Sequence, residues 1–262
     1  MWRFENTGHQ NGEFNMRYDE LLTQRFIEGN GIATLRVYGW KPPAISLGFH
    51  QKLESVDVDA AKDAGIDVVW RPTGGRAILH ADEITYSVVM TTTESISAVY
   101  NRISGALVRA LHLLGVDASL ESQQADFASL YRQPSSVMCF ASSARHEVKV
   151  NGRKLVGSAQ RRYMRPDGAD VVLQHGSILM GPEHLRIVEF LAGVSDAERD
   201  RMKDLLRQKT IDLGEIIDRR VSFEEAAAAL RKGFETEWDI KFINEFVDEK
   251  TAHSITQQMV LA

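Results

Sequence analysis

Two apolar runs of the chain are joined by a basic, glycine-containing segment, Trp70-Arg71-Pro72-Thr73-Gly74-Gly75-Arg76-Ala77-Ile78-Leu79-His80. The paired glycines allow positive φ and let the backbone approach a ligand without a Cβ in the way. The arginines on either side supply charge and fixed donor forks. Such a loop suits a carboxylate, a phosphate or an acyl carbonyl held against backbone amides. A plain hairpin turn is the alternative interpretation of the same Gly-Gly pair.

The composition is typical of a soluble globular protein, with 44% apolar and 26% charged residues among 262. The net charge of −5 argues against a nucleic-acid partner. No apolar run reaches the roughly 18 residues of a membrane span, and the first residues lack the pattern of a signal peptide. A single cysteine, Cys139, excludes an internal disulfide and fits a reducing compartment. We therefore expect a cytoplasmic protein without membrane contact.

Periodicity and turn residues predict one α+β domain over residues 1–262, with antiparallel pairing and a helical C-terminal segment from about 183 to 262. The predicted helices cover residues 13–29, 57–64, 95–114, 183–192, 195–207 and 222–236. The predicted strands cover residues 34–38, 44–48, 66–70, 77–79, 84–90 and 170–180, with a hairpin over 148–156 around Asn151-Gly152. A long loop is predicted over residues 120–138, and a charged connection over residues 161–168. Ser222 and Glu225 predict a capping box at the start of the helix 222–236.

Cys139 and Lys154 are the side chains best suited to nucleophilic chemistry. A lone cysteine is often a small buried hydrophobe, but this one follows a serine-flanked loop, and a nearby cation would activate its thiolate. Lys154 is the candidate cation, and the hairpin places it opposite Lys149; a solvated strand residue is the alternative. His80 and His175 favour hydrogen-bonded structural histidines over metal ligands, because no zinc-site spacing is present. Phosphate-loop and dinucleotide motifs are also absent from the sequence.

Three segments together resemble the lipoate-protein ligase A and octanoyltransferase superfamily, also known as the biotin/lipoate A/B protein ligase family. The glycine segment 71–80 is similar to the first signature of that family. The second signature is similar to residues 154–161 (Lys-Leu-Val-Gly-Ser-Ala-Gln-Arg), and the third to residues 174–179 (Gln-His-Gly-Ser-Ile-Leu). The opening Phe14-Asn15-Met16 with Asp19-Glu20, and Leu35-Arg36 with Tyr38 and Trp40, also match. The resemblance runs over nearly the whole chain. It implies the biotin/lipoate ligase-like (class II synthetase-like) fold, a mixed sheet flanked by helices.

Within the superfamily, the Cys139-Phe140 pair resembles the branch that transfers octanoyl groups from octanoyl-acyl carrier protein to protein through a cysteine. Ligases typically carry a third glycine where Arg76 stands, and a Gly-Asn segment after the histidine where this chain has Asp82-Glu83. The chain also departs from its own branch, because Ala141 follows the Cys-Phe pair.

The resemblance implies that octanoyl is transferred to a lysine of a lipoyl domain, such as that of glycine cleavage H protein, by way of a Cys139 thioester. Lys154 would lower the pKa of the thiol and shuttle the proton. Backbone amides near Gly74-Gly75 and a Gly157-Ser158 turn would hold the carbonyl oxygen. The expected substrate-binding residues are Arg71, Thr73, Gly74, Gly75, Arg76, His80, Gly157, Ser158, Ala159 and His175, with no metal ligand.

Octanoyl-acyl carrier protein and lipoyl-domain acceptors are therefore the expected partners, and no cofactor is required because a thioester is already activated. One alternative is an ATP-dependent lipoate-protein ligase, in which Lys154 would bind an acyl-adenylate and Cys139 would be incidental. Another is a non-catalytic member that binds a lipoyl domain or an acyl group. Acidic carriers would need a local basic surface on this acidic chain. The densest candidate is Arg161, Arg162 and Arg165, with Arg132 and Arg153 as possible neighbours.

Overall fold

The structure is a computed structural model that describes residues 1–120, 147–165 and 167–244. Its strands are β1 (Trp2–Gln10), β2 (Ala33–Trp40), β3 (Ala44–Leu47), β4 (Asp67–Trp70), β5 (Ile78–His80), β6 (Glu83–Thr92), β7 (Ser119–Leu120), β8 (Val148–Val150), β9 (Arg153–Met164), β10 (Asp170–Leu179) and β11 (Phe242–Asn244). Its α-helices are α1 (Gly12–Ile27), α2 (Val58–Asp63), α3 (Ile96–Leu113), α4 (Asp196–Lys209), α5 (Leu213–Ile217) and α6 (Phe223–Trp238). Short 3-10 helices cover Leu53–Ser55 and Pro182–Phe190.

Eight strands form the main sheet in the order β11-β1-β2-β6-β10-β9-β8-β7. Strand β1 is parallel to both of its neighbours, whereas the other pairs of this sheet are antiparallel. Helices α3 and α6 pack on one face through a core that includes Val37 and Val88, and α1 packs on the other face against Val89 and Leu173. The predicted mixed sheet flanked by helices is therefore confirmed.

Helix α1 buries polar residues as well as apolar ones. Asn11 caps it by accepting a hydrogen bond from the backbone nitrogen of Phe14. Asn15, Asp19 and Thr23 are all buried and follow one another at intervals of four residues, so they form a stripe on one helix face. Buried polar groups need hydrogen-bond partners, and this stripe therefore predicts a polar network between α1 and the sheet.

The glycine segment does not form a hairpin. Strands β4 and β5 both pair with β3 and lie on either side of it, so the segment crosses over the end of β3. Gly75 has a φ of 98°, and a Cβ on Gly48 would overlap the carbonyl oxygen of Gly75. Glycine is required at both positions, at Gly75 by its backbone conformation and at Gly48 by the close approach of the chain.

Several element predictions need correction. No strand was predicted over β1, because its residues do not alternate clearly, and the C-terminal segment contains β11 as well as helices. Strand β9 runs on to Met164, so the predicted charged connection begins inside a strand. At the start of α6, Ser222 accepts from the nitrogen of Glu225, but the Glu225 carboxylate pairs with Arg219 instead of completing a capping box.

Candidate functional site

A cleft of about 350 Å³ lies between the main sheet, the small sheet and the start of α1. Its walls are Met16, Tyr38, Trp40, Ser46, Arg71, Ile78, His80, Thr85, Gly157, Ser158, Ala159, His175, Gly176 and Ser177. All three signature segments of the sequence reach this wall. Of the predicted binding residues, Arg71, His80, Gly157, Ser158, Ala159 and His175 line the cleft, whereas Thr73, Gly74, Gly75 and Arg76 are not part of its wall.

Arg71 holds the glycine segment in shape. Its guanidinium donates to the carbonyl oxygens of Gly74 and Arg76, at 2.9 and 2.7 Å from Nη2. Nη1 donates to both the carbonyl and the hydroxyl oxygen of Ser46, at 2.9 and 3.0 Å. A buried guanidinium with this many acceptors fixes the loop against β3, and it also brings a permanent positive charge to the cleft.

His80 is the centre of one buried chain of hydrogen bonds. Its Nε2 lies 2.7 Å from Ser46 Oγ, and its Nδ1 lies 2.8 Å from Glu83 Oε1. The Trp40 ring stacks on the imidazole, with the ring centroids 4.0 Å apart. Because an ionised carboxylate only accepts, Nδ1–H donates to Glu83, and Nε2 is the ring nitrogen that faces Ser46. We name Ser46, His80 and Glu83 the His80 chain.

His175 is the centre of a second chain. Its Nε2 lies 2.6 Å from Thr73 Oγ1, and its Nδ1 lies 3.0 Å from Asp19 Oδ2. Asp19 also accepts from three further donors, which are Arg36 at 2.8 Å, Ser87 at 2.8 Å and Tyr38 at 3.1 Å. This saturated carboxylate explains the polar stripe on α1. We name Thr73, His175 and Asp19 the His175 chain.

The buried groups of the two chains have shifted pKa values. Burial lowers the pKa of His175, and the charge of Asp19 opposes this only in part. Burial alone would raise the pKa of Asp19, but the guanidinium of Arg36 and the contact with His175 outweigh it, so the pKa falls below its ordinary value. Burial likewise acts to raise the pKa of Glu83, but the contact with His80 and the hydrogen bonds from Thr85 and Ser177 together lower it.

The Gly157-Ser158 segment is not the predicted turn. Both residues lie inside β9, paired with Ser177 and Gly176 of β10. The Ser158 hydroxyl lies 2.7 Å from the Tyr86 hydroxyl, and burial raises the pKa of Tyr86 to about 12. The Ser158 carbonyl accepts from the Tyr100 hydroxyl at 2.9 Å.

Lys154 is buried, with 3% of its side chain exposed, so the alternative of a solvated strand residue is wrong. Its Nζ lies 2.5 Å from Oε1 of Glu147, which is equally buried. The register confirms that Lys149 lies opposite Lys154. Lys154 is not among the residues that line the cleft, but Gly157, three positions along the same strand, is. Within the described residues, Oε2 of Glu147 makes no hydrogen bond.

Cys139 and Arg132 lie outside the described residues, as does the predicted loop 120–138 beyond Leu120. The other predicted arginines have partners in the described part of the chain. Arg161 donates to the Pro72 carbonyl at 2.8 Å, and Arg162 and Arg165 pair with Asp170 and Asp167. Arg153 pairs with Glu215. Because three of these four arginines are paired with carboxylates, the local surface is less positive than the sequence predicts.

Sequence reasoning missed Ser46, Glu83 and Glu147 as members of the site. Each is a polar residue inside or beside an apolar strand, which is the only signal that one sequence provides for such a role. Among the described residues, no group of three or more histidine, cysteine or acidic side chains could hold a metal ion. The helices of the same ranges are too short or too polar to cross a membrane.

The model of the lipoyl protein ligase A/B catalytic domain matches residues 11–235 of the chain. Octanoyltransferase LipM of Kyrpidia tusciae is 39% identical over 239 residues, covering 89% of this chain and 85% of that protein. Octanoyltransferase LipM of Bacillus subtilis (strain 168) is 33% identical over 243 residues, covering 90% of this chain and 85% of that protein.

Solved structures agree on the fold. A bipartite lipoate protein ligase of Thermoplasma acidophilum, solved in a study of the ligase and its E2 lipoyl domain, superimposes with a TM-score of 0.73 and is 22% identical. The alignment covers 98% of this chain and 91% of that one. A lipoate-protein ligase A bound with ATP also superimposes with a TM-score of 0.73, at 23% identity. That alignment covers 98% of this chain and 93% of the other. At this identity the likeness shows the fold alone.

Proposed function

The chain belongs to the lipoyl protein ligase A/B catalytic domain family and is an octanoyltransferase of protein lipoylation, and from this premise we propose its donor, acceptor and nucleophile. The donor is octanoyl-acyl carrier protein, and the acceptor is a lysine of a lipoyl domain, such as that of glycine cleavage H protein. The nucleophile is Cys139. The reaction takes place in the cytoplasm and requires neither ATP nor a metal, because the donor thioester is already activated.

The transfer proceeds in two halves. The Cys139 thiolate attacks the octanoyl carbonyl, a new carbon–sulfur bond forms, and the carrier leaves as its thiol. The uncharged amine of the acceptor lysine then attacks the enzyme thioester, an amide bond forms, and the cysteine sulfur leaves and takes up the proton lost by the amine. Splitting the exchange in this way lets the two protein partners occupy the enzyme in turn.

The observation that carries this proposal is the cleft on which the three signature segments converge. Met16, Trp40 and Ile78 give it apolar surface for an alkyl chain, and Arg71 supplies a fixed positive charge near the carbonyl end. The backbone N–H of Ser158, a residue of the cleft wall, is the donor that we assign to the developing oxyanion. These features fit an acyl thioester that reacts at one end of the cleft.

Lys154 acts on the Cys139 sulfur as a buried cation in this proposal. Glu147 gives the ammonium group a counter-ion at 2.5 Å, so the lysine is fixed in position. A cation held close to a thiol favours the thiolate.

The experiment that tests the proposal combines purified enzyme with octanoyl-acyl carrier protein and an apo-lipoyl domain, with and without ATP. Transfer without ATP supports the transferase. Strict dependence on ATP would support the lipoate ligase, and a complete lack of transfer would support a binding protein. Cys139→Ala should abolish transfer to the lipoyl domain. Ser104→Ala, which removes a buried hydroxyl from α3 and does not change a residue of the cleft wall, serves as the matched control.

A further inference from the structure

The His80 chain has the arrangement of a nucleophile, a base and an orienting acid. Ser46 Oγ, His80 Nε2, His80 Nδ1 and Glu83 Oε1 follow one another at hydrogen-bond distances of 2.7 and 2.8 Å. This is the geometry by which serine triads are recognised on unrelated folds. We propose that Ser46 is a second nucleophile of the cleft, which takes an octanoyl group from a thioester and passes it to water.

The histidine is held in the orientation that this role needs. Glu83 accepts from Nδ1–H, which leaves Nε2 facing the Ser46 hydroxyl. Ser177 Oγ lies 3.2 Å from the same Nδ1, and the stacked Trp40 ring fixes the plane of the imidazole. Thr85 donates to Glu83 Oε1 at 2.6 Å and so orients the carboxylate. Each member of the chain is therefore positioned by a neighbour.

Ser46 also has a cation beside it. Arg71 Nη1 lies 3.0 Å from Ser46 Oγ, and the guanidinium is fixed by its bonds to the glycine segment. A preorganised positive charge stabilises both a developing alkoxide and the oxyanion formed next to it. Both Ser46 and His80 line the cleft that we assign to the octanoyl chain. An acyl carbonyl in that cleft therefore lies within reach of an activated hydroxyl.

The His175 chain shows that the hydrogen-bond pattern alone does not make such a site. Thr73, His175 and Asp19 repeat the order of hydroxyl, imidazole and carboxylate at 2.6 and 3.0 Å. Thr73, however, does not line the cleft. Thr73 and Ser46 are both fully buried, so a place on the cleft wall, and not exposure, separates the two chains. Of these two chains, the His80 chain is the one that joins the pattern to a hydroxyl on the cleft wall.

The proposed side reaction consists of two balanced steps. Ser46 Oγ attacks the thioester carbonyl, the oxygen–carbon bond forms and the carbon–sulfur bond breaks, while His80 Nε2 takes the serine proton and delivers it to the leaving sulfur. A water molecule then attacks the Ser46 ester, with His80 as base, and releases octanoate and the free hydroxyl. The net reaction is slow hydrolysis of the thioester. This inference rests on the proposed function in one respect, which is that an octanoyl group occupies the cleft. It does not depend on Cys139 as the nucleophile.

The test uses Cys139→Ala, since Cys139 is the only thiol of the chain, together with a small octanoyl thioester such as octanoyl-pantetheine. Octanoate release and intact mass are followed over time, and peptide fragmentation locates any octanoyl group. Two double variants accompany it, Cys139→Ala with Ser46→Ala and Cys139→Ala with Ser104→Ala. Wild-type enzyme whose thiol is blocked by methyl methanethiosulfonate controls for the substitution itself, because it lacks a free thiol without a change of sequence. Thermal unfolding shows that each variant is folded.

We expect an octanoyl ester on Ser46 in the Cys139→Ala enzyme, and a fall of about tenfold or more in octanoate release when Ser46 is also replaced. The Ser104 double variant should match the Cys139→Ala enzyme. Equal hydrolysis with and without Ser46, or the absence of any adduct in the thiol-blocked enzyme, would overturn the inference. Loss of Cys139 loading in wild-type enzyme would count against the proposed function alone, because the Ser46 adduct is measured without the cysteine.

Discussion

The His80 chain and the His175 chain have the same chemical order but different surroundings. In the His175 chain, Asp19 accepts from four donors, and one of them is the permanent cation Arg36. In the His80 chain, Glu83 accepts hydrogen bonds from His80 and Thr85. The guanidinium of Arg71 donates to Ser46, at the other end of the chain, and not to the carboxylate. The first chain anchors α1 and the glycine segment to the sheet, whereas the second presents its hydroxyl to the cleft.

The role of a hydroxyl–histidine–carboxylate chain therefore depends on what surrounds its hydroxyl and its carboxylate. A carboxylate saturated by a guanidinium stabilises the fold, and its imidazole is kept neutral by burial, which lowers the pKa of His175. A chain whose hydroxyl lines a cleft beside a cation is prepared for chemistry.

Replacing Arg36 by Met should destabilise the protein by about 3–5 kcal/mol, because Asp19 would remain as a buried charge without its strongest partner. The free energy of unfolding from urea titration measures the effect. Arg17→Met, which removes an exposed partner of Glu13, should change it by less than about 1 kcal/mol. A similar small loss at both positions would mean that Arg36 does not anchor the His175 chain.

Lys154 is also a buried cation with a carboxylate partner, but its role is assigned to catalysis. Lys154→Arg should lower octanoyl transfer by about a hundredfold or more, because arginine keeps the charge but cannot deprotonate. Lys149→Ala, on the residue opposite, should retain transfer near the parental rate. Single-turnover transfer to an apo-lipoyl domain is the measurement. Equal losses at the two positions would mean that they act only as general positive potential.

His175→Gln should cost about 1–3 kcal/mol of stability, because Thr73 and Asp19 each lose a buried hydrogen-bond partner. Unfolding in urea measures this loss. If His175→Gln instead lowers the rate of Ser46 acylation while stability is unchanged, the division between an anchoring chain and a chemical chain would be wrong.

The smallest expected effect is a dependence of stability on pH. The pKa of His175 is lower in the folded protein than in the unfolded chain, so the unfolded state binds more protons below about pH 6.5. Stability should therefore fall as the pH drops from about 7.5 to 5.5, and this fall should be shallower in His175→Gln. His184, whose pKa burial also lowers, is present in both proteins and cancels in the difference. Parallel curves would contradict a neutral His175.

The sequence predicted most helices and strands because their periodicity and caps are local signals. Ser95 and Asp57 cap α3 and α2, and Asn151-Gly152 has positive φ at both residues, as a type I′ turn requires. Strand β9 was cut short because its arginines suggested a loop, whereas Arg161 in fact stacks on Phe49 and binds the glycine segment. Edge strand β11 has only three residues, too few for a periodic signal.

The site was predicted in its parts but not in its connections. Arg71, His80, His175 and the Gly157–Ala159 segment were identified from the resemblance, and the structure brings them to one cleft. The partners of the histidines were not predicted, because His175 and Asp19 are 156 residues apart and nothing local links them. The pairing of Lys154 with Glu147 follows from the register of the β8–β9 hairpin and a buried environment, and neither is visible in the residue types alone.

The central claim is that the octanoyl group reaches the lipoyl domain through Cys139, and a chase experiment tests it most directly. The enzyme is loaded with octanoyl-acyl carrier protein, freed of donor, and mixed with an apo-lipoyl domain without ATP, while intact mass is followed on both proteins. We predict one octanoyl group, located on Cys139 by peptide fragmentation, which moves to the lipoyl domain as it leaves the enzyme. Transfer at the parental rate by Cys139→Ala, or transfer only when ATP is added, would contradict the account.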